Sequence, residues 1–98
     1  MSTKIEIKLP TRTDGVFFPG IVCKDGFKMC VQASAHHYCC PKTLDFFKLA
    51  LYSEVEVECT NSPEELLLPY EVGEGSNVFG YVPLEVVREI IRKHGGTM

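Results

Sequence analysis

Within five consecutive residues, His36-His37-Tyr38-Cys39-Cys40, the chain places two imidazoles, a phenol and two thiols, its densest group of reactive and ligand-capable side chains. Neutral imidazoles and thiolates are zinc ligands, so a small structural zinc domain is one reading. His36, His37, Cys39 and Cys40 would begin the site, and Cys23, Cys30, Cys59 or His94 could complete its tetrahedron. Adjacent ligands strain a single tetrahedral centre, however, and the usual gaps between zinc ligands are missing. A second chemistry is that of a thiol enzyme, with Cys39 or Cys40 as nucleophile and His36 or His37 as base. No helix N-terminus or glycine-rich nest is placed to lower a thiol pKa or hold an oxyanion. The plainer reading is a polar turn with one or two thiols tucked into the core. No catalytic constellation is recognised, and the expectation is a protein that is no enzyme and carries no cofactor.

Two other patterns carry little chemistry. Glu54, Glu56 and Glu58 alternate on what reads as a solvated strand face, which is ordinary surface. Gly73-Glu74-Gly75 is not a phosphate loop, because it lacks the Lys-Ser/Thr ending and a strand leading into a helix. Binding remains. Phe17, Phe18, Tyr38, Phe46, Phe47, Tyr52, Phe79 and Tyr81 are many rings for a small core, and about half of them are expected to fill it. The others, near Lys24, Lys28, Lys42 and Lys48, have the composition of interface anchors. The candidate ligand- or partner-binding residues are Gln32, Ser34, His36, His37, Tyr38 and Lys42.

The elements that must position this turn can be read from periodicity. Just before it, Phe27, Met29, Val31 and Ala33 fall on one strand face, with Lys28, Cys30, Gln32 and Ser34 on the other. A two-residue turn at Asp25-Gly26 would mix apolar and charged residues on both faces. A three-residue loop, Lys24-Asp25-Gly26, pairs Ile21 with Met29 and Cys23 with Phe27, gathers Ile21, Cys23, Phe27, Met29 and Val31 on one face, and puts Gly26 where positive φ is needed. Cys23 and Cys30 then point to opposite faces and do not pair.

Lys4 to Leu9 alternates and stops at Pro10, predicting a strand with Ile5, Ile7 and Leu9 inward. Residues 43 to 52 read either as a helix, from the spacing of Leu44, Phe47 and Leu51, or as an extended insertion. Ser53 to Cys59 is a strand with Val55, Val57 and Cys59 inward and the three glutamates outward, about 7 Å apart along it. Lys4 and Lys8 are the natural cations to lie opposite, which makes the first strand its expected neighbour. Ser62-Pro63-Glu64-Glu65 is a capping box for a helix that Pro69 cuts short. Val78 to Val82 is a strand, and Pro83 opens the terminal helix, whose apolar stripe is Leu84, Val87, Ile90, Ile91 and His94. Arg92, Lys93 and His94 suit its C-terminus, and Gly95 caps it. The fold class is α+β: a four- to five-stranded, mostly antiparallel sheet with a C-terminal helix packed on one face.

Ninety-eight residues with ordinary apolar content make one domain, residues 1–98. A net charge of −3 without a basic stripe argues against a nucleic-acid partner. No apolar run is long enough to cross a bilayer or to serve as a signal peptide, which predicts a cytoplasmic protein with no membrane partner. Its five cysteines then read as reduced thiols. A chain this small also gains stability by pairing with itself, which makes a homodimer an expectation.

Phe18 to Ser34 with Tyr38-Cys39, and Phe79-Gly80-Tyr81-Val82-Pro83 through Lys93-His94-Gly95-Gly96, resemble short uncharacterised proteins encoded in bacteriophages and prophages. Cys30 and Cys40 stand where that pattern has serine, and residues 43 to 51 are extra length. The resemblance implies a context in the host cytoplasm and a mode of action, namely binding. The leading expectation is an accessory protein that binds a host macromolecule, a host protein above all, as a defence antagonist. The alternative is a small oligomer that sequesters a nucleotide-like signalling ligand.

Overall fold

The computed structural model describes residues 5–13 and 16–98. The β-ribbon forms in the register that burial dictates. Strand β1 (Ile21–Val22) pairs antiparallel with β2 (Lys28–Gln32), Ile21 opposite Met29. Cys23 N–H donates to the Phe27 carbonyl at 2.8 Å, and Gly26 turns the loop at φ 95°. Ile21, Cys23, Phe27, Met29 and Val31 are all buried. β3 (Glu54–Glu58) and β4 (Val78–Pro83) continue the sheet in the order β1-β2-β3-β4, every neighbour antiparallel. Helix α1 (Leu84–Lys93) follows β4 directly, and its Leu84, Val87, Ile90 and Ile91 join the same buried cluster as Met29, Val31, Val55, Val57 and Val82. The helix stops on His94. Gly95 N–H then reaches the Arg92 carbonyl and Gly96 N–H the Ile91 carbonyl, a Schellman ending built on two left-handed glycines.

Three expectations are corrected, and one open alternative is decided. Residues 5–9 form no strand, and they do not neighbour β3, whose partners are β2 and β4; Lys4 lies outside the described residues. The C-terminal tail takes the position beside them. Lys24 N–H and Met98 N–H bond the Gly96 and Val22 carbonyls, and Thr97 N–H reaches the Glu6 carbonyl at 2.8 Å. The tail therefore covers the free edge of β1, and Lys8 is left to pair with Glu6. Ile7 and Leu9 still pack on the core, whereas Ile5 is exposed. Gly96 is obligatory in this arrangement: at φ 98°, a Cβ there would lie 2.8 Å from the Glu6 carbonyl oxygen.

The second correction is in β3. Val55 and Val57 point inward as expected, but Glu56 is buried instead of solvated, and Cys59, at φ 55°, is exposed instead of inward. Alternation presumes one wet face, and over Glu56 that face is covered by the His/Cys turn.

Of the two readings of residues 43–52, the extended insertion is the one that forms, with a short 3-10 turn at Leu49–Leu51. Leu44, Phe47 and Leu51, the would-be helical stripe, are exposed, while Leu49 and Tyr52 are buried. Arg12 fixes the insertion. Its buried guanidinium donates to the carbonyls of Val16, Ala33 and Phe46 and to the Tyr52 hydroxyl, at 2.6 to 2.8 Å, and stacks 4.3 Å from the Phe18 ring centroid.

The third correction is that the capping box does not form. Residues Glu65–Tyr70 make a 3-10 helix, and its N-cap is Glu64, whose side chain accepts from Leu66 N–H at 3.0 Å. Glu64 also anchors the end of α1, through Lys93 Nζ at 2.9 Å and His94 Nε2 at 2.7 Å.

Candidate binding site

The turn after β2 is shaped by a residue read as outward-facing. Ser34 is buried, and its hydroxyl accepts from His36 N–H at 3.0 Å and bonds His37 Nδ1 at 2.6 Å. Cys39 closes the turn. Its thiol donates to the Ser34 carbonyl at 3.0 Å and accepts from Ser34 N–H at 3.3 Å. Cys40 then pairs with Glu54 on the edge of the sheet, and the Cys40–Pro41 bond is cis.

Tyr38 sits at the apex, held from three sides. Its N–H donates to Glu56 Oε1 at 3.1 Å, its carbonyl accepts from Tyr81 N–H at 3.0 Å, and its Cβ rests on Gly80. That last contact admits no side chain, since a Cβ on Gly80 would lie 2.9 Å from the Tyr38 Cβ. The β3–β4 ladder shifts register between Val55 and Val57, and Tyr81 takes φ 51° there. A bulge of this kind re-aims a side chain, and a left-handed tyrosine carries a backbone cost.

The result is an outward-facing aromatic group. The Tyr38 and Tyr81 rings lie 6.0 Å apart at 49°, each a little under half exposed. Lys42 Nζ sits 5.7 and 5.4 Å from their centroids and donates to the His37 carbonyl at 3.2 Å. The Tyr81 hydroxyl beside it raises the Lys42 pKa, so the ammonium stays charged. Phe17, 68 % exposed, makes an edge contact with the His37 ring at 5.9 Å. Lysine beside paired aromatics suits a partner with an electron-rich or anionic group laid against flat apolar surface.

Of the six candidate residues, His36, His37, Tyr38 and Lys42 lie on this turn and its exit. The other two stand behind it. Gln32 is buried, its amide bonded both ways to the Phe18 backbone at 2.7 and 2.8 Å, and Ser34 is consumed inside the turn. Neither has surface to offer a ligand. The four residues of the zinc reading diverge: Cys39 faces the core, Cys40 faces solvent, and the His37 ring binds Ser34. Among the described residues, no three of His, Cys, Asp or Glu gather around a point that could hold a metal. Burial raises the Cys39 pKa, which works against a thiolate nucleophile there.

Sequence reasoning missed the parts that mount the site. Tyr81 was one ring among eight, and nothing in its neighbours announces a left-handed bulge. Gly80 within a strand pattern was the available signal, because such a glycine marks a bulge or a close backbone approach. No helix among the described residues is long and apolar enough to cross a membrane. Comparison with protein-family models, with curated proteins and with solved structures finds no match for this chain.

Proposed function

We propose that the chain is a phage-type accessory protein that acts by binding, and that it takes a host protein on the face formed by Tyr38, Tyr81, Lys42, His37 and Phe17, as an antagonist of host defence. One observation carries the reading. Two tyrosines are held outward on a strained bulge and a buried glutamate, with a lysine over both rings. Rings fixed before the partner arrives lose little conformational freedom on binding, and tyrosine is enriched among the residues that dominate interface energies. Four of the eight aromatics, Phe17, Tyr38, Phe47 and Tyr81, are exposed, in line with an interface role.

The test is a quantitative capture from host lysate with two baits, the native chain and a Tyr38→Ala/Tyr81→Ala/Lys42→Ala variant. A partner retained by the native bait and lost by the variant supports the reading. Equal recovery by both baits, or none by either, defeats it. A cation over two π faces also suits a nucleotide-like ligand, whose base would lie on the rings and whose phosphate would meet Lys42. A thermal-shift series with cyclic and linear nucleotides separates the two readings, because a ligand that binds the folded state raises its melting temperature.

A further inference from the structure

Cys59, just past the end of β3, takes a left-handed φ, as Asn77 and Tyr81 do. Cys30 of β2 pairs with Glu58, so a regular ladder would set Thr60 opposite Lys28. Instead Asn61 N–H bonds the Lys28 carbonyl, and Asn61 Oδ1 accepts from Lys28 N–H at 2.8 Å. Three residues of one strand therefore span two of the other, and Cys59 lies in the slipped segment.

In a regular strand Cys59 would face away from Cys30. At φ 55° the residue leaves the core face and is exposed, directly after the Glu58 that pairs with Cys30, and burial first and the neighbouring Cys59 second raise the Cys30 pKa. A disulfide needs Cα atoms roughly 4.4–6.8 Å apart, a span that includes the spacing of about 4.8 Å between neighbouring strands. Both residues are free cysteines, Cys59 exposed and Cys30 half-buried. Cys23 and Cys39, in contrast, are fully buried.

We propose that Cys30 and Cys59 form a reversible thiol-modification site whose reactant is a low-molecular-weight disulfide such as oxidised glutathione. The Cys59 thiol gives its proton to water, and its sulfur attacks one sulfur of the small disulfide. The small S–S bond breaks, a mixed disulfide forms on Cys59, and one small thiolate leaves. Cys30, whose pKa burial raises so that its thiolate forms slowly, then gives its proton to water, attacks Cys59 Sγ, forms the Cys30–Cys59 bond and expels the second small thiolate. Two protein thiols lose two electrons and two protons, and the oxidant leaves as two thiols. The half-buried Cys30 resolves the adduct and the exposed Cys59 receives it. The link ties β2 to the slipped end of β3, a site separate from the aromatic face and independent of what that face binds.

The test incubates the full chain with a glutathione redox buffer, then reads intact mass and digested peptides. The native protein is expected to lose two hydrogens, yield a joined Cys30/Cys59 peptide and return to the dithiol with excess reduced glutathione. In Cys30→Ser the adduct should stop on Cys59 as a stable mixed disulfide, and in Cys59→Ser Cys30 should stay reduced. In urea the preference for this pair should vanish. A lasting glutathione adduct on Cys59 of the native chain, or a link made through Cys40 instead, overturns the proposal.

Discussion

Replacing His94 with glutamine should make the stability of the fold nearly insensitive to pH above neutrality, where the native protein weakens. The His94 ring stacks on Phe27, centroids 4.2 Å apart, and both of its nitrogens face carboxylates, Asp25 Oδ2 at 2.5 Å and Glu64 Oε1 at 2.7 Å. A neutral imidazole has one donor, so one carboxylate would face a lone pair; only the imidazolium satisfies both. Burial alone would lower the His94 pKa, but the bonds to Glu64 and Asp25 outweigh it and raise it. Burial likewise pushes Glu64 up, and Lys93, His94 and the Leu66 N–H outweigh that push and lower it. Asp25 is lowered by the Phe27 N–H and by His94.

The signs fix the window. A raised histidine stabilises the fold fully below its unfolded pKa of about 6.5, and the gain is lost as pH rises through the folded value. Lowered carboxylates stabilise it above their unfolded values of about 4, and that gain is lost as pH falls through the folded ones. The cluster therefore contributes most between about pH 4.5 and 6.5. A hydrogen bond to a charged group contributes about 1.5–3 kcal/mol. The Glu64 side chain is essentially buried and that of His94 only 16 % exposed, so about 2 kcal/mol is the figure to expect for their bond. In a chain of this size that is a melting-temperature difference of roughly 8–16 °C between native and His94→Gln at pH 6. Thermal unfolding of both proteins at pH 5, 6, 7.5 and 9 reads it directly. The difference must shrink as pH rises. A constant difference, or an NMR titration placing the folded His94 pKa at or below 6.5, refutes the reasoning.

Arg12→Met should lower stability by about 2 kcal/mol or more, because the Ala33 carbonyl and Tyr52 hydroxyl lose their donor inside the fold. Hydrogen exchange should then quicken at Leu49, whose N–H bonds the Pro10 carbonyl, before it quickens in β3. Gly80→Ala should cost about 1–3 kcal/mol by overpacking, and the displaced Tyr38 should change the near-UV circular dichroism. Tyr81→Asn should leave the melting temperature within a few degrees of native and abolish partner capture, since asparagine tolerates the left-handed region that tyrosine occupies at a cost of roughly 1–2 kcal/mol.

What the sequence revealed and what it hid divide along physical lines. The Ile21/Met29 register, the buried stripe of α1 and its glycine ending follow from local rules, because one face of each element must be dry and the chain must turn left-handed to stop. The errors all come from long-range covering. Glu56 alternates like a surface residue, yet a turn sixteen or more residues earlier in the chain lies over it. Lys4 to Leu9 alternates like a strand, yet the tail takes the pairing edge. Arg12 sits in turn-like sequence and holds the insertion by bonds to residues up to forty positions away. Glu64 shows the same limit. Its place in the chain suggested a helix start, but its burial follows from Lys93 and His94 arriving from α1. The candidate turn was legible as chemistry; its mounting was not.

The two strained cysteine and tyrosine positions bear on function through the same argument. Glycine or asparagine could occupy φ near 50° with little steric penalty, so a bulky or reactive residue there is not explained by the local fold. At both positions the sheet loses its register, and the side chain is turned toward solvent beside a chemically matched neighbour: Tyr81 by Tyr38 and Lys42, Cys59 by Cys30. Tyr81 gives no core packing that would offset its backbone cost, since its ring remains exposed. A stability origin for these residues therefore predicts that Tyr81→Asn and Cys59→Gly destabilise the chain. A recognition and modification origin predicts that both fold at least as well as the native protein while losing capture in one case and thiol pairing in the other. Melting temperature and function must separate in these two variants, and their moving together would remove the basis for assigning either residue a role outside the fold.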